Sequence, residues 1–181
     1  MFFRRRNEHQ LEDGTRIWLR PIVASDTPFL LDIFSNLSSK SRYQRFIAPV
    51  DSVPAERVAE IASQMVADTI AQGRGVLAFT ELDGDEIAIG GARYFREQSD
   101  DHWTSDSAEF AITIRDDYQR KGIGKLLLRE LIVQARRNGV ERLTGLALPD
   151  NAGLWRLVEQ MGYPINRQSG QGEIEFEMII S

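Results

Sequence analysis

The chain has 181 residues, a net charge of −5, and hydrophobic and charged fractions of 42% and 27%, values that suit one soluble globular domain with room for a core. The acidic balance argues against a nucleic-acid partner, because such binding rests on neutralising phosphates with Lys and Arg. The absence of cysteine excludes disulfides, thiolate metal sites and a Cys nucleophile, and it fits a reducing, cytoplasmic setting.

In chain order, residues 1–13 read as a flexible polar N-terminal segment, and residues 14–181 read as a single domain. Arg4, Arg5 and Arg6 follow only two apolar residues after Met1, with no apolar run behind them, so a secretory signal is not expected. No stretch reaches the roughly 18 apolar residues of a membrane span, so no membrane partner is expected. Asp13-Gly14 signals a turn, and residues 17–22 read as a strand that Pro21 confines to a sheet edge or a strand end. Ser25 or Asp26 is placed to cap a helix whose apolar face is Phe29, Leu30, Ile33, Phe34 and Leu37. Ser38 opens a second short helix through Arg42, Tyr43 and Phe46, and Pro54 opens a third that runs to about Ala67.

Two strands follow, residues 76–82 and 86–95, joined by the hairpin signal Asp83-Gly84-Asp85. Residues 97–107 read as a polar loop. Residues 108–115 read as a strand, 122–138 as a long amphipathic helix stopped by Asn138-Gly139, and 142–148 as a strand, together a crossover between parallel strands. A helix over 152–161 and a half-buried strand over 173–180 complete the chain, with space for one further strand. The order is that of one mixed α/β domain. His9 and His102 are not at ligand spacing, so no metal site is expected.

The segment that carries chemistry is Gln119-Arg120-Lys121-Gly122-Ile123-Gly124-Lys125, between a strand and a helix. At a helix start the first N–H groups lack partners and the helix dipole adds positive charge, so the place suits a phosphate. Glycines let an anion approach the backbone, and Arg120, Lys121 and Lys125 add charge. The spacing matches neither the dinucleotide fingerprint nor a Walker loop.

Gln-x-x-Gly-x-Gly in this context resembles the acyl-CoA pyrophosphate motif of the GNAT superfamily of N-acetyltransferases, and the element order is similar to that fold from about residue 14 to residue 180. The resemblance implies an α/β fold: a single GNAT-like domain whose mixed, mostly antiparallel sheet has a central parallel splay and flanking helices. It implies acetyl-CoA as acyl donor, with the backbone of residues 119–125, Ile123 included, around the pyrophosphate. It also implies that the strand segment Ile112, Thr113 and Ile114 meets the pantetheine arm, Ile112 and Ile114 through backbone groups. Asn151, at the head of a helix that ends in Gly162-Tyr163, matches a pantetheine ligand of many members, although an N-cap role alone explains an Asn there. Many members carry a tyrosine acid seven residues later; here that position is Val158, and Trp155 cannot replace it.

Glu109 is the candidate catalytic base, on the strand that faces the implied thioester. A lysine amine is protonated at neutral pH and must lose a proton before it attacks, and a carboxylate can take that proton. A surface or ion-pairing carboxylate is the other reading of Glu109. Residues 13–15 and 19–22, Leu37-Ser38, Ser41-Arg42-Tyr43 with Arg45-Phe46, and Ala92-Arg93-Tyr94 are similar to the acetyltransferase domain of Pat-type bacterial protein lysine acetyltransferases. The implied acceptor is therefore a protein lysine, with a small amine or a silent acyl-CoA-sensing role as alternatives. Asp100, Asp101 and Asp106 are placed to attract a cationic acceptor or simply to solvate a loop. A monomer and a homodimer are both compatible with the sequence.

Overall fold

The computed structural model describes residues 7–96 and 106–181. Eight strands form one sheet in the order β1-β2-β3-β4-β5-β6-β8-β7. They are β1 (Asn7–Gln10), β2 (Arg16–Pro21), β3 (Gly73–Leu82), β4 (Asp85–Phe95), β5 (Ser107–Ile114), β6 (Arg142–Ala147), β7 (Ile165–Ser169) and β8 (Ile174–Ile179). The helices are α1 (Thr27–Ser35), α2 (Ser39–Phe46), α3 (Ala55–Gln72), α4 (Ile123–Arg137) and α5 (Ala152–Gln160). Every neighbouring pair is antiparallel except β5 and β6, which run parallel and are joined through α4. The expected crossover and mixed sheet are therefore present.

Several boundaries differ from the sequence reading. Asn7–Gln10, expected to be frayed, pairs with β2. This polar edge strand offers no apolar alternation; its main-chain bonds to β2 hold it. Pro21 ends β2, which lies inside the sheet next to β1. The third helix runs on to Gln72, and Gly73 then enters β3 directly, where any Cβ would stand 1.8 Å from the Tyr94 carbonyl oxygen. Asp26 does not cap α1 with its side chain, because its buried carboxylate takes two bonds from Arg20, at 2.7 and 2.9 Å, and one from the Val23 N–H. The Asp83-Gly84 turn is a tight hairpin with φ of 54° and 91°, and Ser38 caps α2 through the Ser41 N–H as read.

The main core lies between α4, α5 and one face of the sheet, with Leu127, Leu128, Leu131, Leu143 and Met178 fully buried. On the opposite face α1, α2 and α3 cover the β2–β5 part, over a smaller cluster around Ile33, Leu77 and Phe79. No helix among the described residues is long and apolar enough to cross a membrane.

Candidate active site

The turn between β5 and α4 is built by side-chain bonds and two backbone reversals. Gln119 Nε2 donates to the Ile114 carbonyl at 3.2 Å and to Asp116 Oδ1 at 2.9 Å, fastening the loop to the end of β5. Arg120 and Gly122 have φ of 61° and 85°. Left-handed residues interleaved with ordinary ones turn successive N–H groups to the same side and make a concave set of donors. The first main-chain donors of α4 to find an acceptor are Lys125 and Leu126, both on the Gly122 carbonyl, at 3.1 and 3.3 Å. The N–H groups of Ile123 and Gly124 are thus left for an outside acceptor, beside the positive end of the helix dipole. This fits an anion such as a pyrophosphate.

The two glycines serve different ends. A Cβ on Gly122 would meet nothing within 4 Å, so only its left-handed φ requires glycine. A Cβ on Gly124 would stand 3.3 Å from Leu157, so there the missing side chain lets α5 pack closely on α4. Among the basic residues, Lys121 is tied to Asp13 at 2.8 Å and pins the loop to the β1–β2 turn. Its hydrogen bond holds the Asp13 carboxyl well below the usual carboxylate range, and Asp13 in turn raises Lys121. Arg120 is exposed and Lys125 half-buried, neither with an acidic partner among the described residues.

The parallel strands part beside this loop. β5 and β6 pair only at Ser107↔Arg142, Ala108↔Leu143 and Glu109↔Thr144. Beyond Glu109 the β6 side of β5 is open. The Arg115 N–H bonds the Ile89 carbonyl of β4 at 3.0 Å. By alternation Thr113 also turns its main-chain groups towards β4, while Ile112 and Ile114 turn theirs into the splay. Thr113, expected beside the pantetheine arm, has its Oγ1 accepting from Arg45 Nε at 3.0 Å on the helix-covered face.

Glu109 occupies the last paired position before the fork, on the same face as Ala111 and Thr113. It is half-buried and lines a cavity of about 280 Å³ with Ser107, Thr144, Gly145, Leu146 and Glu175. Asn151 caps α5, its Oδ1 accepting from the Leu154 N–H at 3.2 Å. Val158 is fully buried in the main core, and Trp155 Nε1 donates to the Leu148 carbonyl at 3.0 Å. Neither residue has a proton to offer a leaving group.

Some connections were not foreseen in the sequence. Buried Arg115 bonds Asp32 at 3.1 Å and Asp117 at 2.9 Å, and Asp116 accepts from the Ser38 N–H, so α1 and α2 are fastened to the base of the loop. The dense Arg115-Asp116-Asp117 charge run was the available signal. In the 41–46 segment, Arg42 pairs with Asp51 and stacks over Phe34, while Tyr43 is 45% exposed. Asp106 bonds Arg142 at 2.5 Å instead of standing free. Arg4, Arg5, Arg6, Asp100, Asp101 and His102 lie outside the described residues. Among the described residues there is no cluster of His, Asp or Glu that could hold a metal ion.

A parallel splay with a helix N-terminus opening at its mouth defines an α/β domain built to hold a phosphorylated ligand along a strand. Residues 16–164 match the model of the acetyltransferase (GNAT) domain, and the chain belongs to that family. It is 31% identical over 156 residues to the acetyltransferase Pat of Mycolicibacterium smegmatis, an alignment that spans 84% of this chain and 43% of that protein. The GNAT domain of S. lividans PAT superposes with a TM-score of 0.79 at 25% identity, covering 96% of each chain. The yncA acetyltransferase structure from Salmonella typhimurium, determined with its cofactor acetyl-CoA, superposes with a TM-score of 0.70 at 18% identity, over 91% of this chain and 94% of that one.

Proposed function

We propose that the chain is an N-acetyltransferase that moves the acetyl group of acetyl-CoA to an amine, with a protein lysine as acceptor and Glu109 as general base. The observation that carries this reading is the position of Glu109 at the fork of β5 and β6, on the strand that leads through Ile112 and Ile114 to the donor-rich start of α4. Membership of the GNAT family and the likeness to Pat support it. A cytoplasmic setting goes with the absence of cysteine.

Acetyl-CoA supplies an activated thioester carbonyl. Main-chain N–H groups of residues 120–124 hold its pyrophosphate, with Arg120 and Lys125 adding charge. Gln119 keeps that loop in shape and Lys121 anchors it. The open main-chain groups of Ile112 and the Ile114 N–H align the pantetheine arm, and a strand N–H directed at the carbonyl oxygen favours the attacked form. Asn151 keeps its amide Nδ2 for the same arm while Oδ1 caps α5. Glu109 takes the proton of the incoming ammonium, directly or through water. Once the N–C bond forms and the C–S bond breaks, the attacking nitrogen gives up its second proton to solvent and the sulfur leaves as a thiolate, since Val158 supplies no acid.

CoA release measured with lysine-bearing proteins and with small amines tests the reading. Turnover on proteins, lost in Glu109→Gln, is expected. Turnover confined to small amines would move the acceptor to that class, which the Glu109 and Glu175 carboxylates in one cavity also suit. Tight acetyl-CoA binding without turnover on any acceptor would make the chain an acyl-CoA sensor, the reading that Val158 favours.

A further inference from the structure

A second cavity, about 140 Å³, lies between the sheet and α1, α2 and α3. Its lining is apolar except for Arg45 from α2, Arg93 from β4 and Thr113 from β5. Arg45 Nε is satisfied by Thr113 Oγ1. Its two Nη groups make no hydrogen bond among the described residues. Arg93 Nη1 has only long bonds, 3.5 Å to the Met65 carbonyl and 3.4 Å to Thr69 Oγ1, and its buried Nε has no partner. Neither guanidinium has a carboxylate within ion-pair range among the described residues. Burial, and then the like charge of Arg93, push Arg45 down to about 10, with Glu109 opposing; burial also lowers Arg93, against the pull of Glu109 and Asp68. Two cations with unused donors in an apolar space are costly unless an anion completes them.

We propose that this cavity binds a small apolar monocarboxylate, its carboxylate between Arg45 and Arg93 and its body against Phe34, Phe46 and Met65. The planar guanidinium fork matches a carboxylate. A cavity near 150 Å³ with apolar walls is known to take benzene, so a body about the size of one ring fits. A phosphate would bring more charge and no apolar body. An amino acid does not fit: Glu109, the carboxylate that acts on both guanidiniums, lines the other cavity, and the lining here has no acidic group for an ammonium. The ligand is therefore not the amine that receives an acyl group, and the proposal stands whether or not the chain transfers acetyl.

Isothermal titration calorimetry of the full chain tests it with benzoate, neutral benzamide and zwitterionic phenylalanine. Benzoate binds, and benzamide and phenylalanine bind at least about tenfold more weakly, the worth of one charge-assisted bond. Arg93→Met weakens benzoate by about 10- to 100-fold. Ala62→Leu, which fills the cavity with both arginines in place, abolishes binding. A cooperative thermal melt for each variant establishes that it is folded, and Ala62→Leu decides if Arg93→Met is not. Benzoate that fails to bind even in the millimolar range, benzamide that binds equally well, or a folded Ala62→Leu protein that keeps its affinity would each overturn the proposal.

Discussion

The two faces of the sheet are built on opposite terms. The α4–α5 face is close-packed, with fully buried Leu127, Leu128 and Leu131 over Leu143 and Met178. The α1–α3 face has a smaller apolar cluster, a cavity and two arginines directed into it. The first face sets a helix terminus rigidly in place, so backbone geometry does the binding there. The second gives up packing for charge, which is how a protein equips a surface to discriminate among ligands.

The largest expected effect tests whether chemistry sits at the fork between these regions. Glu109→Gln lowers turnover by about a hundredfold to ten-thousandfold, the usual worth of a general base, while calorimetry finds acetyl-CoA binding intact. Normal turnover would remove Glu109 from the mechanism. The packing contrast is tested by truncating one leucine on each face. Leu131→Ala falls in the upper part of the about 2–5 kcal/mol range, and Leu77→Ala, which already borders a cavity, in the lower part. Equal losses in urea unfolding would erase the distinction.

Smaller effects sharpen it. Gly122→Val places a branched residue at φ 85°, a left-handed position that costs about 1–2 kcal/mol. The loop relaxes and the Kd for acetyl-CoA rises about tenfold. An unchanged Kd would mean that the cradle does not depend on this turn. Arg45→Met, in contrast, is within about 1 kcal/mol of neutral or is stabilising, because it removes a charge from a half-buried, mostly apolar setting. The sign follows from burial lowering the Arg45 guanidinium from its ordinary range to about 10 on folding. The charge penalty is constant below the folded value and fades between it and the unfolded value, where the unfolded chain binds more protons. The gap between wild type and Arg45→Met is therefore flat from pH 8 to about pH 10 and moves in favour of wild type only above that, by pH 11, in denaturant titrations; a gap that is the same at pH 11 as at pH 8 would contradict the lowered guanidinium.

The sequence made the backbone-built region legible. Gly122 and Gly124 at a strand–helix junction, the Asp83-Gly84 hairpin and the apolar stripe of α4 are local signals, and each appears where it was read. The side-chain-built region was far less legible. Arg45 and Thr113 lie 68 positions apart, and only the tertiary fold makes them partners. Nor does the place of Thr113 in the strand reveal which edge its main chain faces; by alternation from the Arg115 bond to Ile89 it faces β4. Asn7–Gln10 and Ile165–Ser169 are polar edge strands held by one neighbour each, so hydrophobic alternation could not announce them.

The three rungs that join β5 to β6 make the sheet two leaves bound along a short spine. One leaf is β1 to β5 and the other is β6, β8 and β7, with α4 packed across β3, β4 and β5 as the brace. An extended ligand arm lying along Ile112 and Ile114 would supply the missing rungs from outside the polypeptide. Such an arm acts as a splint, and it shields from solvent exchange the amides that the free fold leaves open to water.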